Sequence, residues 1–218
     1  MPDIVLRNLP FLLGGLGNTV GIALITALAG TALAIPLALL RHARVPVLSP
    51  VCAAYIGVIQ GTPLLIVLLF CYVALPALFG YRTTGYAACT LGFTLFLAPY
   101  CAEDIRAGLL SVPASLSEAA AALGLTRLQH LRLIILPLAI RSAAPPVIGQ
   151  YVRMVKYTSV ASVIGVPEIT GRALMVNARI FQPLPILAIT AVSYFTICFT
   201  LSMAGRMLQA RALPRPAA

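Results

Sequence analysis

The chain has 218 residues, 61% of them hydrophobic and 9% charged, and its mean hydropathy is +1.00. A soluble domain carries about a quarter charged residues, so this chain lacks the polar surface to cover a water-facing globule, and its solvent is lipid. The net charge of +10 comes from basic residues scattered between apolar runs, a distribution that fits membrane topology better than a nucleic-acid surface.

Met1 to Pro10 carries Asp3 and Arg7 and leads into an apolar run too long for the core of a signal peptide. Five stretches are long enough for bilayer spans, which need about 20 apolar residues each. They run approximately over 14–40, 51–75, 86–102, 143–166 and 184–208, with a cytoplasmic segment over 107–138. The expected fold is therefore all-α: one transmembrane domain, 1–218, of five helices. The first span carries Gly17, Gly21, Ala23, Ala27, Gly30, Thr31 and Ala34 three or four residues apart. Such spacing permits close approach by another helix, from this subunit or a second one. The second span is interrupted by Gln60-Gly61-Thr62-Pro63, which predicts an ordinary proline kink or a break lined by protein or water. The third is short and contains Pro99.

The fourth span holds Arg153 and Lys156, three residues apart and expected on one face. A cation at the bilayer centre costs about 2.5–3.5 kcal/mol on insertion scales, so that face should look into protein or water. A structural ion pair, snorkelling towards the outer surface and contact with a solute carboxylate all remain open. Gln60, Thr62, Gln150, Thr158 and Ser159 are the polar companions of a candidate substrate path. Five cysteines lie singly inside apolar runs and read as buried small hydrophobes.

Orientation follows from the basic residues between spans. Arg41, Arg44, Arg106, Arg127, Arg132, Arg141, Arg206, Arg211 and Arg215 fall on one side, and Arg7, Arg82, Arg172 and Arg179 on the other. Nine against four places the amino terminus outside and the carboxyl terminus in the cytoplasm.

The cytoplasmic segment contains EAAAALGLTRLQHLRLIILP, Glu118 to Pro137. Ser117 or Ser115 is expected to cap a helix with Glu118 in its first turn. The alanines favour helix and leave room for a partner surface. Gly124 ends or bends that helix, Leu125–Leu136 forms a second piece, and Pro137 marks the turn back into the membrane. Two short crossed helices make a knob that fits a cleft.

Glu118, Ala119, Ala120, Gly124, Ile134, Leu136 and Pro137 together resemble the EAA loop of binding-protein-dependent ABC-transporter permeases. "GTPLL" (Gly61–Leu65), "AEDIRAGLLSVP" (Ala102–Pro113) and "KYTSVASVIGVPE" (Lys156–Glu168) look like the polar-amino-acid subgroup, which carries histidine, glutamine, arginine or opines. The resemblance implies the type I importer permease fold, with those seven residues docking on a partner ATPase. It also implies two permease subunits (identical or paralogous), two ABC ATPases that bind ATP and Mg²⁺, and an external solute-binding protein. No cofactor on this chain itself is implied, and the implied location is the bacterial inner membrane. Departures from the subgroup pattern fall at Gln60, Val67, Ser115-Leu116, Gly149 and Tyr157, and Arg153 is an added charge.

The chain has no G-x-x-x-x-G-K-[ST], H-E-x-x-H or G-x-S-x-G, and its single lysine lies inside a span. His42 and His130 are isolated and make no metal cluster. Catalysis is thus expected of a partner. The competing readings are a permease for another small solute, such as an opine, and a secondary transporter. The latter would show inverted repeats or carboxylates at mid-depth.

Overall fold

The computed structural model describes the backbone of residues 2–212 and the side chains of residues 7–207. Leu213, Arg215 and the side chain of Arg211 lie outside the described residues. Every regular element among them is helical: α1 (Pro2–His42), α2 (Leu48–Gln60), α3 (Leu64–Phe79), α4 (Gly85–Leu110), α5 (Ala114–Ala122), α6 (Arg127–Ile164), α7 (Ile169–Ile180) and α8 (Pro183–Ala212). Four of these, α1, α4, α6 and α8, are long and apolar enough to cross a membrane, and α2 with α3 supplies a fifth candidate as a bent pair.

The core centres on α4. Its Ala88, Cys89, Phe93, Ala98, Cys101 and Ala102 are at most 1% exposed, and α1, α2, α3 and α6 pack around it. The small-residue stripe of α1 works inside the subunit. Gly30 lies against the Leu97 side chain and Ala34 is fully buried, whereas Gly17 and Gly21 face open space. Gly108 matters where α4 meets α6, because a Cβ there would lie 2.7 Å from the Ala139 carbonyl and from the Ala143 Cβ. All five cysteines are buried in these helices.

The Gln60–Pro63 interruption is a break. α2 and α3 meet there at 107°, far beyond a proline kink. Pro63 takes extended backbone (ψ 137°) as the residue before α3, and the Thr62 hydroxyl returns to the Val58 carbonyl at 2.7 Å.

Pro137 does not turn the chain. It lies inside α6, two residues beyond a π-helical turn over Leu131–Ile135. Proline lacks the amide that would bond to the preceding turn, and its ring crowds the carbonyl four residues back. The π turn widens the helix at that point, with the Leu136 amide reaching the Leu131 carbonyl. The same solution recurs in α3, where a π turn over Phe70–Ala74 ends two residues before Pro76. The expected fourth span, 143–166, is therefore the far part of a helical run that begins at Arg127.

α7 was not anticipated between the last two spans. Its N-cap is Glu168, and its Ala173 and Val176 pack with Leu12 of α1 and Ile186 of α8.

Candidate functional site

The knob is built from α5, the turn at Gly124 and the start of α6. α5 begins at Ala114 with Pro113 before it and no side-chain cap. Ser115 and Ser117 lie inside the helix, and Glu118 sits in its second turn, not its first. The proline sets the start because its fixed φ and missing amide suit the end of a helix. Gly124 has φ +68°, and the Leu125 amide returns to the Ala120 carbonyl at 3.1 Å while the Gly124 amide bonds to the Ala121 carbonyl at 3.0 Å. This is a left-handed helix stop that satisfies two otherwise orphaned carbonyls. Thr126 then opens α6 with a capping box: its hydroxyl accepts from the Gln129 amide, and the Gln129 side chain accepts from the Thr126 amide at 2.9 Å.

Ala120 is the inward anchor of this knob at 2% exposure, while Glu118, Ala119, Leu123, Gly124, Leu136 and Pro137 are exposed and Ile134 is half-buried. Leu123 is 77% exposed at the tip.

The second feature is one face of α6. Ser142, Pro146, Gly149, Arg153 and Lys156 are exposed, and Ala143, Val147, Gln150 and Met154 are buried. Both sets recur at four and three residues, so they are two sides of one helix. The exposed side is polar or small. α1 and α8 show the opposite: their outward residues include Leu24, Leu28, Val192 and Phe195, which suit lipid. The polar side of α6 does not.

Arg153 and Lys156 share the exposed face, as their spacing predicts, but each lines a different crevice. Three residues leave them about 60° apart around the helix axis. Arg153 lies beside Phe96 and Tyr100 of α4 and Tyr157, whereas Lys156 lies beside Tyr194, Cys198 and Phe199 of α8. The crevice behind Arg153 has a volume of about 10 Å³, space for about one water molecule. A solute would therefore meet Arg153 from its open side.

Lys156 is level with the middle of the apolar stretch of α8, Pro183–Met207. At 1.5 Å per residue that is about 14–20 Å from either end, beyond the length of a lysine side chain. Neither cation has an ion-pair partner among the described residues; the ion pairs found there join Glu103 to Arg41 and to Arg106.

The remaining candidates are dispersed. Gln150 is buried, and its amide donates to the Asp104 carboxylate at 2.7 Å. Thr158 is fully buried and Ser159 half-buried, and their hydroxyls bond to the Val155 and Lys156 carbonyls of their own helix. Gln60 and Thr62 sit at the α2–α3 break and line neither crevice.

Sequence reasoning missed Glu168. Its side chain is fully buried and accepts from the Thr170 amide at 2.9 Å, the Gly171 amide at 2.6 Å and the Tyr194 hydroxyl at 2.5 Å. Beside it, Asn18 of α1 donates to the Pro167 carbonyl and the Thr19 hydroxyl accepts from the Ile169 amide. One carboxyl group thus ties the start of α7 to α8, next to its seam with α1. An acidic residue directly before Ile169-Thr170-Gly171 was a readable cap signal.

A family profile described as binding-protein-dependent transport system inner membrane component matches residues 30–213. The chain is 34% identical to a Bacillus subtilis (strain 168) protein named as a probable glutamine ABC transporter permease, GlnP, over 94% of this chain and 95% of the relative. It is also 34% identical to the L-cystine transport system permease protein TcyB of the same organism, over 96% and 90%. Among solved structures, an amino acid ABC transporter with histidines superposes with a TM-score of 0.89 at 28% identity, covering 95% of this chain and 96% of the other. With the knob and the long apolar helices in place, the chain belongs to the family of inner membrane components of binding-protein-dependent transport systems.

Proposed function

We propose that this chain is the permease subunit of an ATP-driven importer of a polar amino acid. Its amino terminus is outside and its carboxyl terminus cytoplasmic. It pairs with a second permease, a copy or a paralogue, and receives solute from an external binding protein. One of two ABC ATPases docks on the α5 knob, where Glu118, Ala119, Ala120, Gly124, Ile134, Leu136 and Pro137 form or support the contact, and the other docks on the second permease. ATP and Mg²⁺ act on those partners. ATP binding closes the ATPases, the knob carries that movement into α6, and the polar face of α6 alternates between outward and inward access. The observation that carries this reading is that the knob leads directly into the polar stripe: its second arm is the start of α6, the helical run from Arg127 that carries Ser142 to Lys156. The relatives' names supply the amino-acid class.

On this reading Arg153 lines the path and meets the solute carboxylate, with Lys156, Gln150, Thr158, Ser159, Gln60 and Thr62 along the route as α2, α3 and α6 move. Arg153→Met should lower solute uptake about tenfold, since a charge-assisted contact contributes about 1.5–3 kcal/mol, while the assembled transporter still purifies intact. Unchanged uptake kinetics in that variant would remove Arg153 from the path.

The orientation has its own test. Single cysteines at Thr83, Ala114 and Leu213, in a background without native cysteines, are treated in whole cells with an impermeant thiol reagent. Thr83→Cys should be labelled and the other two protected; the reverse pattern overturns the orientation.

A further inference from the structure

We propose that the path selects its solute by charge: it accepts amino acids of zero or negative net charge and rejects cationic ones. This rests on the reading that the polar face of α6 lines the path, and it follows from where the acidic side chains of the chain lie. The sequence contains five, Asp3, Glu103, Asp104, Glu118 and Glu168. Glu118 is on the knob, away from the spans. Glu103 is held between Arg41 and Arg106. Asp104, half-buried, is held by the neutral amide of Gln150 without a cation on it among the described residues, and Glu168 is sealed under the start of α7. Asp3 lies at the far amino end of α1, with its side chain outside the described residues.

The exposed face of α6 therefore carries Arg153 and Lys156 with no ion-pair partner among the described residues, and Asp104, on Gln150, is the one carboxylate near it. The C-terminal end of the α-helical part of α6, at Tyr157, offsets part of the charge of Lys156, which sits in its last turn. Arg153 is a turn further in and gains less. A second copy of the chain across the path would double the positive charge. Rings of basic side chains admit anions and exclude cations by the same electrostatics. A solute carboxylate supplies the missing counter-charge. The guanidinium of arginine or the ammonium of a lysine side chain adds a like charge to a face whose two cations already outnumber the one carboxylate near it, Asp104.

The external binding protein filters solutes first, so the test reads the permease without it. The complex of permeases and ATPases is placed in lipid nanodiscs, and binding of radiolabelled glutamate, glutamine and arginine is measured. Glutamate and glutamine should bind, and arginine about tenfold more weakly or worse. Arg153→Gln with Lys156→Gln should abolish that preference, with the thermal unfolding profile as a control for folding. Arginine bound as tightly as glutamine by the wild-type complex overturns the charge selection and leaves the amino-acid importer standing. Absence of binding for all three, with solute-stimulated ATP hydrolysis intact once a loaded binding protein is added, also removes the selection, because the path would then hold no solute. Absence of both binding and stimulation by any loaded amino-acid binding protein defeats the importer reading itself.

Discussion

The double variant Gly124→Val, Glu118→Lys is expected to reach the membrane at normal levels, fail to retain the ATPases on purification, and lose solute-stimulated ATP hydrolysis. The two substitutions act by different routes. At Gly124 a built Cβ meets nothing within 4 Å, so the site has room for a side chain and the effect comes from the backbone alone. At φ +68° a residue with a Cβ is strained by about 1–2 kcal/mol, and β-branched valine is among the least tolerant. Relief requires rotating φ, which breaks the two amide–carbonyl bonds that stop α5 and swings that helix away from the start of α6. Glu118 is exposed and sits in the second turn of α5, so charge reversal there has little dipole cost and reads contact with the ATPase. A displaced helix and a reversed charge together should lower stimulation by about tenfold or more, since 1.4 kcal/mol is a factor of ten. The checks are co-purification and ATP hydrolysis in reconstituted vesicles, with and without loaded binding protein. Full association and full stimulation would falsify the coupling role of the knob.

The parts of this molecule that were legible in the sequence share one property: their signal is local. Apolar length located the helices, and Gly124 announced a left-handed stop because a glycine after a run of alanines has few other uses. Thr126-x-x-Gln129 was equally local, a capping box visible as four letters, yet the basic residues around it drew attention to charge instead. Pro137 and the Gln60–Pro63 break show where local reading fails in opposite directions. Proline weakens a helix in both places. At Pro137 a π turn absorbs the missing amide and the helix runs on; at Pro63 glycine, threonine and proline together bend the chain by 107°. The difference lies in the preceding turn and the packing around it, which no single residue reports. Arg153 and Lys156 illustrate a finer limit. Their spacing put them on one side of a helix, but about 60° of separation delivers one to α4 and the other to α8, and the neighbours decide which.

Glu168→Leu is the second large effect expected, and its cause is entirely tertiary. The carboxyl group joins residues 26 positions apart in the chain, Glu168 and Tyr194, and Tyr194 also hydrogen-bonds to Thr170 at 3.1 Å. Leucine at this position leaves the Thr170 and Gly171 amides without acceptors at the start of α7. It also takes away an acceptor of the Tyr194 hydroxyl. Each charge-assisted hydrogen bond of this kind contributes about 1.5–3 kcal/mol, and transmembrane side-chain bonds measured by double-mutant cycles contribute about 0.6 kcal/mol on average. The expected loss is therefore about 2–4 kcal/mol, enough to lower the unfolding temperature of the detergent-solubilised subunit and its level in the membrane. Glu168→Gln is the intermediate case: its carbonyl oxygen still accepts from the Gly171 amide and its NH₂ group donates to the Tyr194 oxygen, but the Thr170 amide, which bonds to the other carboxylate oxygen, loses its acceptor. It should recover part of the stability. Tyr194→Phe removes the bonds to Glu168 and Thr170 and leaves the α7 cap intact, so it should lose less than Glu168→Leu. If Glu168→Leu and Glu168→Gln unfold at the same temperature as the wild type, the buried carboxyl does not hold α7 to α8, and the apolar contacts of Val176 and Ile186 carry that seam alone.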